Sequence, residues 1–130
     1  MAQGKLGEAE PLLRAALSAQ RRALGGEHPL TLKSVSSAGC LLAKQGKLGE
    51  AEPLLREALS AQRRTLGGGH PDTLETMVNF AHLLWEQGKR EEALEMFRQE
   101  LEASRRVHGE GHPATQRSLR NYAAMLRASA

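Results

Sequence analysis

Three histidines recur in one tetrad, His28-Pro29-x-Thr31, His70-Pro71-x-Thr73 and His112-Pro113-x-Thr115, at a constant interval of 42 residues. Histidine is both a common metal ligand and a common general base, so an even row of three invites catalytic and metal readings. The spacing opposes the metal reading. Successive units of a helical stack lie roughly 10 Å apart, whereas zinc ligands must converge within about 2 Å of one ion. The glycine-rich run GGGH at 67–70 lacks the GKS or GKT ending of a phosphate loop, and no strand precedes it. No serine or cysteine is paired with a histidine in a pattern that would activate it as a nucleophile. The expectation is a chain with no catalytic residue, no metal and no cofactor.

A helix start explains the tetrad better. Proline has its φ preset for the first helical turn, and its missing N–H is one that a helix leaves unpaired there. The histidine before it, or a neighbouring loop residue, can cap the helix. The threonine two residues later stays in the first turn. The loop glycines allow a tight reversal.

The elements around these joints repeat as well. Residues 3–32 and 45–74 are identical at 26 of 30 positions, and a looser third copy from Gln87 keeps QGK, Glu92-Ala93, Arg105-Arg106 and the tetrad. Such a period points to a solenoid. Each period holds two helices. In LGEAEPLLREALSAQRRTLG the residues Ala51, Leu55, Ala58, Leu59, Gln62 and Leu66 form one stripe at three- and four-residue spacing. Glu50 and Glu52 near its start and Arg63 and Arg64 near its end suit the helix dipole. Pro53 is expected near the start, where N–H groups lack partners, and Gly67 ends the helix. The shorter helix spans about Pro71 to Gln87, with Met77, Phe80, Ala81 and Leu84 inward, and Gly88 stops it. Joints closed by glycine alternate with the histidine-proline joints. The predicted fold is all-α, an antiparallel helix-pair solenoid of about six helices. It forms one domain over 1–130: half repeat 3–29, repeats 30–71 and 72–113, and half repeat 114–130.

Composition agrees. The chain has 130 residues, 40% of them hydrophobic, and its four aromatic residues are Phe80, Trp85, Phe97 and Tyr122. The core is therefore built from small aliphatic groups. The net charge of +3 comes from alternating signs rather than blocks, which gives no support to nucleic-acid binding. The Arg-Arg pairs are explained by their place at helix C-termini. One cysteine, Cys40, excludes an internal disulfide and suits a reducing compartment. No apolar run approaches a membrane span, and the N-terminus is not a signal peptide, so a cytoplasmic location without membrane contact is expected.

On these residues the chain resembles a tetratricopeptide repeat array, specifically the 42-residue form of kinesin light chains. Gly39, Leu42, Gly46, Ala51, Leu55 and Ala58 follow the family pattern, as do Phe80-Ala81, Leu84, Gly88, Ala93 and Phe97. Glu100 departs from it, standing where a small residue is usual. The phrases NFAHLLWEQGKREEAL and EAEPLLREALSAQRRTLG carry the light-chain likeness. The resemblance implies a right-handed superhelix whose concave groove takes a peptide segment of a partner protein, in an adaptor or scaffold role.

The same resemblance implies that the first helix of each pair lines the groove. The groove residues are then Lys33, Ser36, Ser37, Cys40 and Lys44 in the first full copy. They are Glu75, Val78, Asn79, His82 and Glu86 in the second, and Arg117, Arg120, Asn121 and Arg127 after it. These positions differ between copies while the second helices stay nearly constant, as expected of a binding surface or of an idle one. Asn79 and Asn121 match an asparagine that contacts peptide backbone in this family, and an amide both donates and accepts; Ser37 replaces it in the first copy. Their other reading is solvated or cap-supporting amides. The arginines fit an acidic partner segment or are simply solvated. The lysine and asparagine arrangement that clamps a C-terminal carboxylate is not reproduced. Trp85 is expected to pack on the next helix rather than anchor a ligand, and Cys40 to be a small, partly buried apolar group.

The ends raise a second expectation. The first helix, about Leu6 to Leu24, lacks a partner for Ala9, Leu13 and Leu17, and the last, about Pro113 to Ser129, lacks one for Leu119, Tyr122 and Leu126. Either the chain is part of a longer array, or copies associate head to tail, or the last helix folds differently.

Overall fold

A computed structural model describes the backbone of residues 2–130 and the side chains from residue 11 onward. Six helices follow one another: α1 (Ala2–Leu24), α2 (Pro29–Lys44), α3 (Leu48–Thr65), α4 (Pro71–Glu86), α5 (Arg90–His108) and α6 (Pro113–Ser129). No strand occurs among the described residues. Each helix packs on the next in the chain, and α2 also touches α4, the first helix of the following pair. That skip contact stacks one hairpin on another and makes the array a solenoid.

The joints form as their residues dictate. His28, His70 and His112 are the N-caps of α2, α4 and α6, and each is followed by proline at the first helical position. In each case Nδ1 accepts from the N–H two residues on: Leu30 at 3.2 Å, Asp72 at 3.1 Å and Ala114 at 3.0 Å. Of the two capping candidates, the histidine itself is the cap. The threonines Thr31, Thr73 and Thr115 are buried within the first turn. Gly67 closes α3 with φ +91°, and Gly88 closes α4 with φ +83°. At the second of these the N–H of Lys89 returns to the Leu84 carbonyl at 2.9 Å, the six-to-one bond of a Schellman turn.

The core is thin and aliphatic, as composition requires. Ala51, Leu55, Ala58, Leu59 and Gln62 of α3 and Met77, Phe80, Ala81 and Leu84 of α4 are all buried. Gly39 is needed for its size: a Cβ there would stand 2.7 Å from Leu55 Cγ. Polar ties cross the joints. Gln87 Nε2 donates to Glu52 Oε1 at 2.8 Å, which together with Arg56 holds that carboxyl below its ordinary pKa. Arg21 pairs with Glu57 at 3.0 Å, and Arg64 pairs with Glu27. Trp85 packs against the core with Arg90 over its ring at 4.6 Å, so its packing role is the one observed.

Two expectations are corrected. Pro53 lies inside α3, past the turn whose N–H groups lack partners, and Pro11 lies inside α1. The carbonyl that Pro53 leaves without an N–H donor belongs to exposed Gly49, where water can satisfy it. Leu17 is not uncovered: it is 8% exposed and packs with Val35, Ala38 and Ala58, while Leu13 is half-buried beside it. Among the described side chains of α1 the large apolar ones left in solvent are Leu12, 73% exposed, and Leu24, 42% exposed; Ala9 falls outside the described side chains. At the other end α6 is a regular helix with Leu119 and Leu126 exposed and Tyr122 half-buried.

Candidate functional site

Helix α2 touches α4, and α6 joins α4 through α5; two adjoining pockets open along this row of first helices. The first, ≈ 540 Å³, lies between α2 and α4 and is lined by Cys40, Ala43, Lys44, Val78, Asn79, His82, Leu83 and Glu86. The second, ≈ 370 Å³, lies between α4 and α6 over α5. Pro71, Leu74, Glu75, Val78, Asn79, Glu100, Ser104, His108, Ala114, Arg117 and Asn121 line it. Val78 and Asn79 belong to both, so the pockets form a continuous trough across three helices.

Nine of the residues named from the sequence therefore come together: Cys40, Lys44, Glu75, Val78, Asn79, His82, Glu86, Arg117 and Asn121. Lys33, Ser37, Arg120 and Arg127 are exposed on the same helices but line neither pocket. Ser36 is the correction. It is 4% exposed and turned into the α2–α4 contact, where it accepts from Thr76 Oγ1 at 2.9 Å and from Asn79 Nδ2 at 3.3 Å. The helical stripe places Ser36 at the seam rather than in the trough, because α4 crosses α2 there.

The walls have distinct chemistry. His82 meets Phe97 edge-on, with ring centroids 5.1 Å apart. Desolvation there lowers its pKa, and Glu86 opposes the shift. Cys40 is a free, half-buried thiol. On α4 the titratable trough residues are Glu75, His82 and Glu86; on α6 the charged residues are Arg117, Arg120 and Arg127. Of these arginines only Arg117 lines the trough, which is thus acidic along α4 with a single guanidinium facing it from α6.

Three contributors come from α5, a second helix to which the sequence reading assigned no trough residue: Glu100, Ser104 and His108. Glu100 is 5% exposed, and its Oε2 accepts from Ser118 Oγ at 2.8 Å. Burial raises its pKa; the Ser118 hydrogen bond and the charge of Arg117 act in the other direction. Ser104 is held by Thr115, whose Oγ1 donates to the Ser104 carbonyl at 3.2 Å, and the His108 ring stacks on His112 at 4.3 Å. The sequence did carry a signal for Glu100, since it breaks the small-residue pattern. Among the described residues no group of three His, Cys, Asp or Glu side chains could hold a metal ion, and no helix is long and apolar enough to cross a membrane.

Comparison with known proteins agrees with this architecture. The profile of the tetratricopeptide repeat matches residues 1–64, 37–106 and 81–130. No curated protein matches the sequence. Among solved structures the chain is similar to a kinesin light chain from Podosopora anserina with nearly identical TPR-like repeats, at 27% identity and TM-score 0.86, over 97% of this chain and 60% of that one. A point variant of that same protein gives 27% identity and TM-score 0.85, over 97% and 59%. The fold, at 19% identity, is also that of BtubC (BKLC) from P. vanneervenii, with TM-score 0.84 over 97% and 50%. The chain thus spans at most three fifths of each of these structures. Overlapping profile matches from residue 1 to residue 130 and a shared superhelix place the family beyond composition alone: the chain belongs to the tetratricopeptide repeats, a family of helical protein-interaction modules, in the kinesin light chain type.

Proposed function

We propose that this module is a non-catalytic adaptor or scaffold that binds a peptide segment of a partner protein along the trough. The observation that carries the reading is the sharing of Val78 and Asn79 by both pockets. It makes one trough long enough for an extended segment out of residues that three separate copies contribute. Asn79 and Asn121 are the groups for peptide backbone, because each amide donates and accepts. Lys44 and the α6 arginines Arg117, Arg120 and Arg127 favour an acidic segment, since guanidinium pairs carboxylates bidentately. Lys33, Ser37 and Cys40 extend the contact surface along α2. No nucleic acid, membrane or cofactor is required, and a cytoplasmic setting suits the single free thiol.

The test is a pull-down with the intact chain against its Asn79→Ala, Asn121→Ala double variant. Partners captured by the first should be lost by the second, and equal capture by both would sink the groove. Arg117→Glu with Arg120→Glu should abolish capture of an acidic partner, whereas lysine at both positions should largely keep it.

A second reading is favoured by Leu119 and Leu126, which are 38% and 43% exposed on α6: copies of the chain associate through that face. Light scattering over a concentration series decides it, because a monomer at high micromolar concentration eliminates self-association.

A further inference from the structure

Glu100 has no counterpart in the preceding repeat, where Ala58 occupies the equivalent position and is fully buried. The carboxyl takes the place of that methyl group at the base of the pocket between α4 and α6. Its Oε2 is satisfied by Ser118, but Oε1 is buried and has no hydrogen-bond partner among the described residues. A buried acceptor without a donor is costly, and the cost is larger for a charged group. A ligand that brings an N–H to this oxygen therefore removes a penalty as well as forming a bond.

The surroundings set the ligand's charge. Glu75 of α4 lines the same pocket, giving two carboxylates; His108 of α5 and Arg117 of α6 complete its titratable lining. Arg117 influences Glu100 through space, but no ion pair joins them among the described residues. It is exposed, so solvent screens it more than it screens the buried carboxyl. We infer that the pocket based on Glu100 receives a basic side chain, a lysine ammonium or an arginine guanidinium, from the segment bound in the trough. This rests on the groove reading and adds polarity to it. The basic residue enters between α4 and α6, and acidic neighbours of that residue face Arg120 and Arg127. The segment recognised is then of mixed charge, with one basic residue among acidic ones.

The experiment is a nitrogen-15 NMR titration of the full chain with butylammonium and butylguanidinium, with butanol and butyrate as neutral and anionic controls. The cations should shift the backbone amides around Glu75, Glu100 and Ser118. Glu100→Gln, which keeps an acceptor for Ser118, should weaken that binding about tenfold through loss of the charge-assisted bond. Glu75→Gln, an exposed change that leaves the fold intact, should weaken it about threefold. Butanol shifting the same amides as strongly as butylammonium, or cation affinity unchanged in both variants, overturns the inference. Peptide capture that persists while the cations fail to bind removes this inference and leaves the groove standing. Cation binding by a chain that captures no peptide removes the groove, and with it the peptide as the source of the base.

Discussion

Ser118 Oγ donates to Glu100 Oε2 across the α5–α6 contact at 2.8 Å, and so fixes a carboxyl that is 5% exposed. One hydroxyl offsets little of what burial imposes on a charge, and burial is the largest influence on this group, raising its pKa above the ordinary 4.5. The folded chain therefore holds the proton more tightly than the unfolded chain does. Stability associated with Glu100 is fully present below 4.5 and is lost as pH rises through the raised value. Thermal melts across this range should show the wild type losing ground to Glu100→Gln as pH rises, with the variant the more stable near neutrality. Parallel pH profiles for the two chains would contradict the assignment.

Gly39 and Leu55 show how closely the helix pairs approach. A Cβ at Gly39 would fall 2.7 Å from Leu55 Cγ, and Leu55 is wholly buried. Gly39→Leu should cost about 1–3 kcal/mol through overpacking, read as a lowered midpoint in urea. Ser37→Leu, two residues away and exposed, should change stability by no more than about 0.5 kcal/mol. Equal effects would mean that α2 and α3 are not pressed together at Gly39.

The histidine tetrads admit an equally direct test. His70 Nδ1 accepts from the Asp72 N–H at 3.1 Å, so His70→Ala removes a helix cap worth about 1 kcal/mol. In a chain of this length that is a fall of about 4 °C in Tm. His70→Asn supplies another side chain with a strong N-cap preference and should recover most of the loss in a circular dichroism melt. A variant in which alanine and asparagine behave alike would deny the capping role.

The fold was legible because its signals are local and repeated. The Leu55 and Phe80 stripes, the His70-Pro71 start and the Gly67 stop each act within a few residues of themselves, and the 42-residue period places them in register. The trough was half legible. Residues such as Val78 and Asn79 follow from the face of one helix, whereas Ser36 depends on where α4 crosses α2, and that crossing is a tertiary fact. Glu100 shows the same limit from the other side. Its departure from the small-residue pattern is visible in the chain, but its burial under α6 and its bond to Ser118 depend on the angle at which α6 meets α5. Pro53 misled for a different reason: a lost backbone bond is tolerable wherever the freed carbonyl meets water, not only in the first turn.

The two trough asparagines separate structure from recognition. Asn79 donates to buried Ser36 at 3.3 Å, so Asn79→Ala should cost about 1 kcal/mol of stability besides any effect on binding. Asn121 is half-buried and makes no side-chain hydrogen bond among the described residues, so Asn121→Ala should lie within about 0.5 kcal/mol of the parent in a denaturant melt. If a peptide backbone rests on both amides, each single variant should lose peptide affinity, and only Asn79→Ala should also lose stability. Capture lost in Asn79→Ala alone would mean that Asn79 acts through the α2–α4 seam and that Asn121 does not hold the ligand. Capture lost in both, with Asn121→Ala as stable as the parent, would assign the amide to the ligand.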